Sequence, residues 1–192
     1  MRADLQPPDR ITLDAELVRA GENLDTEALL EQIVGLDDFP LRVRLLCLAQ
    51  PGFLPLRILP LLSLSAAAAR DQGAHGLWLT LQVHRAAALR LAGRLGEAQE
   101  LALALWQRLE DGIAGIEMFP HIAAELCAAL ASTHPDSQVG THTETMQVIT
   151  LRASAWMQRA AATLPASWRQ NYLTRAPILQ IMPPLARGLL MR

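Results

Sequence analysis

Between Gly76 and Glu110 the same side chains keep returning every three or four positions. Leu77, Leu81, His84, Ala88 and Leu91 share one helix face, and Ala98, Leu101, Ala102, Leu105 and Leu109 share one face of a second helix. The small Ala side chains let two such helices approach closely, and the Leu side chains fill the space that remains. Between the stripes lies Gly93-Arg94-Leu95-Gly96-Glu97. No strand precedes this segment and no phosphate-binding pattern runs through it, so it reads as an elbow. A glycine that accepts positive φ ends the first helix, and Glu97 favours the partly positive start of the next.

The same logic extends along the chain. Residues 1–12, with Pro7-Pro8 and alternating charge, read as a flexible arm. Helices are expected over 13–20, 25–34, 40–49, 53–72, 78–92, 95–110, 119–132 and 141–164. Asp25 is placed as an N-cap, Gly35 as a stop, Pro40 in a first turn and Pro51-Gly52 as a corner. Second helices start near Leu56 and Leu95 and first helices near Gly76 and Glu117, offsets close to 40 residues in both cases. A period of that size built from helix pairs marks a solenoid of helical hairpins, with a plain helical bundle as the alternative.

Composition strengthens the helical reading. Leu (36) and Ala (31) make up about a third of the 192 residues, whereas Val and Ile total 15. All 17 basic residues are Arg. Without Lys there is no Walker lysine, no Schiff-base lysine and no Ser-Lys dyad. Cys47 and Cys127 lie in apolar helical contexts and read as buried thiols of a reducing compartment. The N-terminal ten residues lack the apolar core of a signal peptide. The run 45–69 holds Arg57 and three prolines, which argues for a buried helix pair with a Pro-Gly corner and against a membrane span.

Charge is what points to partners. Residues 1–40 sum to −7, residues 41–144 to −1 and residues 145–192 to +6, the last stretch carrying six Arg and no acid. Such polarity suits docking of an acidic protein on the basic end, or head-to-tail stacking of copies into a homo-oligomer. Nucleic acid is disfavoured, because Arg152, Arg159, Arg169 and Arg175 spread over several faces and no helix-turn-helix stands out.

Chemistry finds little purchase. No Gly-x-Ser-x-Gly, His-Glu-x-x-His, Cys-x-x-Cys or dinucleotide fingerprint occurs. His84 reads as a core or edge histidine, and the pair Asp37-Asp38 as solvated. His121 and Glu125 share a helix face, and with His142 they are the nearest approach to a metal site, yet zinc wants three or four ligands. No cofactor is expected, and a metal-dependent enzyme is the weaker alternative.

Two resemblances add to this. The elbow, with Ala86 and Leu89 before it and Gly96-Glu97-Ala98 within it, resembles the turn of tetratricopeptide-like repeats, although Glu110 stands where those repeats usually place Pro. The tail, Trp156, Leu164-Pro165, Trp168-Arg169, Tyr172-Leu173, Arg175-Ala176-Pro177 and an apolar stretch from Ile178 to Leu190, resembles the end of the repeat region of large bacterial signal-transducing ATPases and related transcription regulators. Ala176 replaces the Asn frequent there, and Pro183-Pro184 interrupts the last helix. The likeness implies a repeat scaffold with a capping end and does not carry the ATPase. The expectation is thus an all-α, helical-hairpin (TPR-like) solenoid over 13–164 with a C-terminal capping segment over 165–192. It is expected to be bacterial and cytoplasmic, and to serve protein–protein interaction in signalling or transcription regulation. Trp78, Arg85, Trp106 and Gln107 are the candidate exposed contacts, and Arg152, Arg159, Arg169 and Arg175 the candidate electrostatic docking site.

Overall fold

The computed structural model describes residues 6–110, 120–131 and 143–173, and all regular structure among them is helical. The chain divides at Gly93 into two compact units. The first holds α1 (Pro7–Arg19), α2 (Thr26–Val34), α3 (Phe39–Ala49), a 3-10 turn (Gln50–Gly52), α4 (Pro55–Asp71) and α5 (His75–Leu91). The second holds α6 (Leu95–Glu110), α7 (Pro120–Ala131), α8 (Thr143–Ala162) and α9 (Ala166–Leu173).

α1 corrects the expected arm: the helix begins at Pro7, not after residue 12. Two prolines are tolerated there because the first turn has no use for their missing N–H groups. Ile11, Ala15 and Val18 then bury one side of α1. The cap at Asp25 holds, its carboxylate accepting the Ala28 N–H at 3.0 Å. Asp38 does the same for α3, accepting the Leu41 N–H at 2.9 Å, so this acid is a cap as well as solvated. Gly35 closes α2 in an ordinary right-handed conformation, φ −74°.

The run 45–69 does form two helices with a Pro-Gly corner between them. The corner lies on α1 so closely that a Cβ on Gly52 would collide with the Val18 side chain. Beside it Gln50 is buried, with its Oε1 3.4 Å from His84 Nδ1. His84 is half-buried, an edge histidine as expected. Among the described residues no helix is long and apolar enough to cross a membrane.

α4 and α5 pack along one another, and α3 also packs on α5. α5 therefore buries more than one face: Leu79, Leu81, Val83, Ala86, Ala87, Ala88 and Leu89 are all inside. The single stripe expected for α5 is correspondingly incomplete, and Leu91 on that stripe is half-exposed. α4 keeps a simpler pattern, burying Ile58, Leu62, Ala66 and Ala69 at helical spacing. Pro60 lies inside α4 on the exposed side.

In the second unit each helix packs on the next: α6 on α7, α7 on α8, and α8 on α9. Here the expected face of α6 holds, with Ala98, Ala102 and Leu105 buried. α4 and α6 start at Pro55 and Leu95, 40 residues apart, the interval expected for second helices. The expected first-helix start near Glu117 lies outside the described residues. At the elbow itself Gly93 has φ +75°, the conformation expected of a residue without Cβ. Arg94 and Glu97 pair across the start of α6.

Candidate interaction surface

The basic end of the described chain is built on α8. One face of this helix buries Ile149, Ala153, Met157 and Ala161. The other exposes Val148, Leu151, Arg152, Ala155 and Arg159, which recur at the three-and-four spacing of one helix side. Leu151 is 63 % exposed although nothing about an isolated helix requires a large apolar side chain there. After Glu144 no acidic residue occurs. Beyond Glu144, which is exposed one turn before Val148, the exposed face is apolar and basic together.

Arg152 ties this face to α6. Its guanidinium carbon lies 5.0 Å from the centroid of the Trp106 ring, within cation–π range. Trp106 is 5 % exposed, so the expectation of an exposed contact at this position is corrected: its ring widens the buried stripe of Ala102 and Leu105. Gln107, the next residue, is exposed as expected. Trp78 and Arg85, in the first unit, are half-buried, and Arg85 donates to Gln82 Oε1 at 3.4 Å. They are only partly available to a partner.

The remaining arginines separate by role. Arg159 is exposed on the α8 face. Arg169 turns back from α9 and donates to the carbonyls of Ala161 at 3.2 Å and Leu164 at 3.3 Å. Ala161 lies in the last turn of α8 and Leu164 just past its end, so Arg169 adds side-chain donors to the carbonyls that close that helix. Arg175 lies outside the described residues. Trp168 stands 68 % exposed rather than packed as an apolar cap, while Tyr172 is half-buried. Burial raises the Tyr172 hydroxyl above its ordinary pKa.

The candidate metal ligands are not brought together by any observation. Glu125 is half-buried on α7. His142 and the side chain of His121 lie outside the described residues. Among the described residues no group of three or more His, Cys, Asp and Glu could hold a metal ion. The Cys127 thiol, half-buried, lies 3.9 Å from both the Met146 carbonyl and Thr150 Oγ1. Burial raises its pKa and the Thr150 contact acts in the opposite sense.

Sequence reasoning missed the Arg152–Trp106 stack, because the two residues are far apart in the chain. It also missed the cap at Asp38, although Asp before a helical run containing Pro40 carries the same signal as Asp25. No protein-family model, no curated protein and no solved structure matches the chain.

Proposed function

We propose that this protein is a non-catalytic helical scaffold that docks an acidic protein partner on the exposed face of α8. The observation that carries the reading is the stripe Val148, Leu151, Arg152, Ala155 and Arg159, exposed on a chain end with no acid after Glu144. Apolar side chains leading into two arginines suit an amphipathic helix with acids along its margins: burial supplies affinity and charge supplies orientation. The repeat architecture and a place in bacterial signalling or transcription regulation rest on the resemblances of the elbow and the tail.

Affinity capture from bacterial lysate, read by mass spectrometry, tests this reading on the unaltered chain and on a Leu151→Asp/Arg159→Glu variant. Both side chains are exposed, so the variant is expected to fold. Acidic proteins retained by the unaltered chain and depleted at least tenfold on the variant support the reading. Equal capture by both chains, or capture by neither, overturns it.

A second reading is head-to-tail assembly of copies. It draws on the exposed acids of the first unit, Asp9, Glu22, Glu27 and Glu31, opposite in sign to the α8 face. Sedimentation at low and high salt tests it: a series of oligomers that dissolves with salt supports stacking, and a distribution indifferent to salt removes it.

A further inference from the structure

α4 carries a second line of side chains that the packing of the first unit leaves exposed. Arg57, Pro60, Leu64, Ala67 and Asp71 are all exposed. Their spacing alternates three and four, which holds one line of residues toward a neighbouring helix. The line is basic at its start, apolar through its middle and acidic at its end. Leu64 at its centre is 69 % exposed, and Leu56, about two turns earlier, 71 %. Exposed Leu at two positions of one helix, next to an open groove walled by Val34, Phe39, Leu61 and Leu64, is more apolar surface than the unit requires.

We propose that this face docks antiparallel on α4 of a second copy, about a two-fold axis passing at Leu64. The order of charges selects both the occupant and the direction. In a parallel pair Arg57 would face Arg57 and Asp71 would face Asp71. With the helices antiparallel and Leu64 over Leu64, Arg57 falls opposite Asp71 at both ends, because each lies seven residues from the centre. Pro60 then falls opposite the Ala67–Ala68 step, where small side chains permit close approach. An interface in which one patch meets itself is the isologous kind that closes as a dimer.

Both charged ends have reason to accept this partner. Arg57 already reaches Glu27 Oε2 at 2.7 Å, both side chains being about half-exposed, and its guanidinium fork offers further N–H donors. Asp71 is the last residue of α4, where the helix end carries partial negative charge and disfavours a carboxylate. A guanidinium from the second copy relieves that repulsion. Leu64 also forms one wall of the groove, so an approaching helix covers the groove edge along with the line itself.

Sedimentation velocity of the full chain over a hundredfold concentration range tests the proposal, together with disulfide trapping. The expected result is a monomer–dimer equilibrium with no larger species. Leu64→Glu, which sets two carboxylates together at the axis, weakens it at least tenfold with an unchanged helical circular dichroism spectrum. Leu64→Cys forms an intermolecular disulfide on mild oxidation faster than the unaltered chain does, whereas Leu56→Cys, off the axis, does not. A monomer at every concentration, a dimer untouched by Leu64→Glu, or trapping of Leu56→Cys as fast as Leu64→Cys overturns the proposal. So does a ladder of larger species, which belongs to head-to-tail stacking.

Discussion

Arg152 covers the Trp106 ring from a different helix, its guanidinium carbon 5.0 Å from the ring centroid. The tryptophan supplies buried area and the arginine supplies the lid, so truncating them has unequal consequences. Trp106→Ala is expected to cost about 3–5 kcal/mol, the range for removing a large buried aromatic. Arg152→Ala is expected to cost only about 0.5–1 kcal/mol, the worth of an exposed cation–π contact. Urea unfolding followed by circular dichroism measures both, and Arg152→Ala should also move tryptophan emission to the red as water reaches the ring.

The Gly52 backbone lies directly against the Val18 side chain. A methyl group at residue 52 has no room while Val18 keeps its branch. Gly52→Ala is expected to destabilise the chain by about 1–3 kcal/mol, the usual cost of overpacking. Val18→Ala vacates the contested space, so the double variant should be more stable than the sum of the single losses allows. A double-mutant cycle on unfolding free energies reads this coupling directly.

Gln50 is buried at 4 % exposure, and among the described residues its Nε2 has no hydrogen-bond partner. Its Oε1 meets His84 Nδ1 only at 3.4 Å. A poorly bonded buried amide is dispensable when its volume is kept, whereas a void is not. Gln50→Met is therefore expected to change stability by less than about 1 kcal/mol, and Gln50→Ala to cost about 2 kcal/mol or more. Thermal unfolding midpoints of the two variants decide the order.

Cys47 sets an alkaline limit. Burial pushes its thiol from the ordinary 9.0 up to about 12. Between those values the unfolded chain loses the thiol proton while the folded chain keeps it. The contribution is complete below pH 9 and declines as pH rises toward 12, so stability falls across that window. The unfolding midpoint is expected to drop through it, and Cys47→Ala to flatten part of the slope. Cys127 and Tyr172, both raised by burial, contribute in the same direction.

Local signals were the most legible part of the sequence. Asp25, the Pro51-Gly52 corner and Gly93 each impose a backbone requirement on their own neighbourhood, and each is found in the expected place. Distance is what hid the rest. The contact of Trp106 with Arg152 of α8 is one that no periodicity within α6 encodes. Net charge likewise cannot show that Arg169 Nε and Nη2 donate to carbonyls at the end of α8. The two faces of α5 read as one stripe because a second neighbour, α3, was invisible in the spacing. On the α8 face, Arg152 and Arg159 are legible as basic positions, but the exposure of the apolar Val148 and Leu151 just before them is not encoded in the spacing.

Pro60 offers no N–H to the carbonyl of Leu56, whereas Pro55, in the first turn of the same helix, has no helical bond to lose. The opening turn of α4 is thus tethered by fewer rungs than the turns behind it. The turn from Leu56 to Pro60 therefore rests more on the burial of Ile58 and Leu59 than on its own hydrogen bonds.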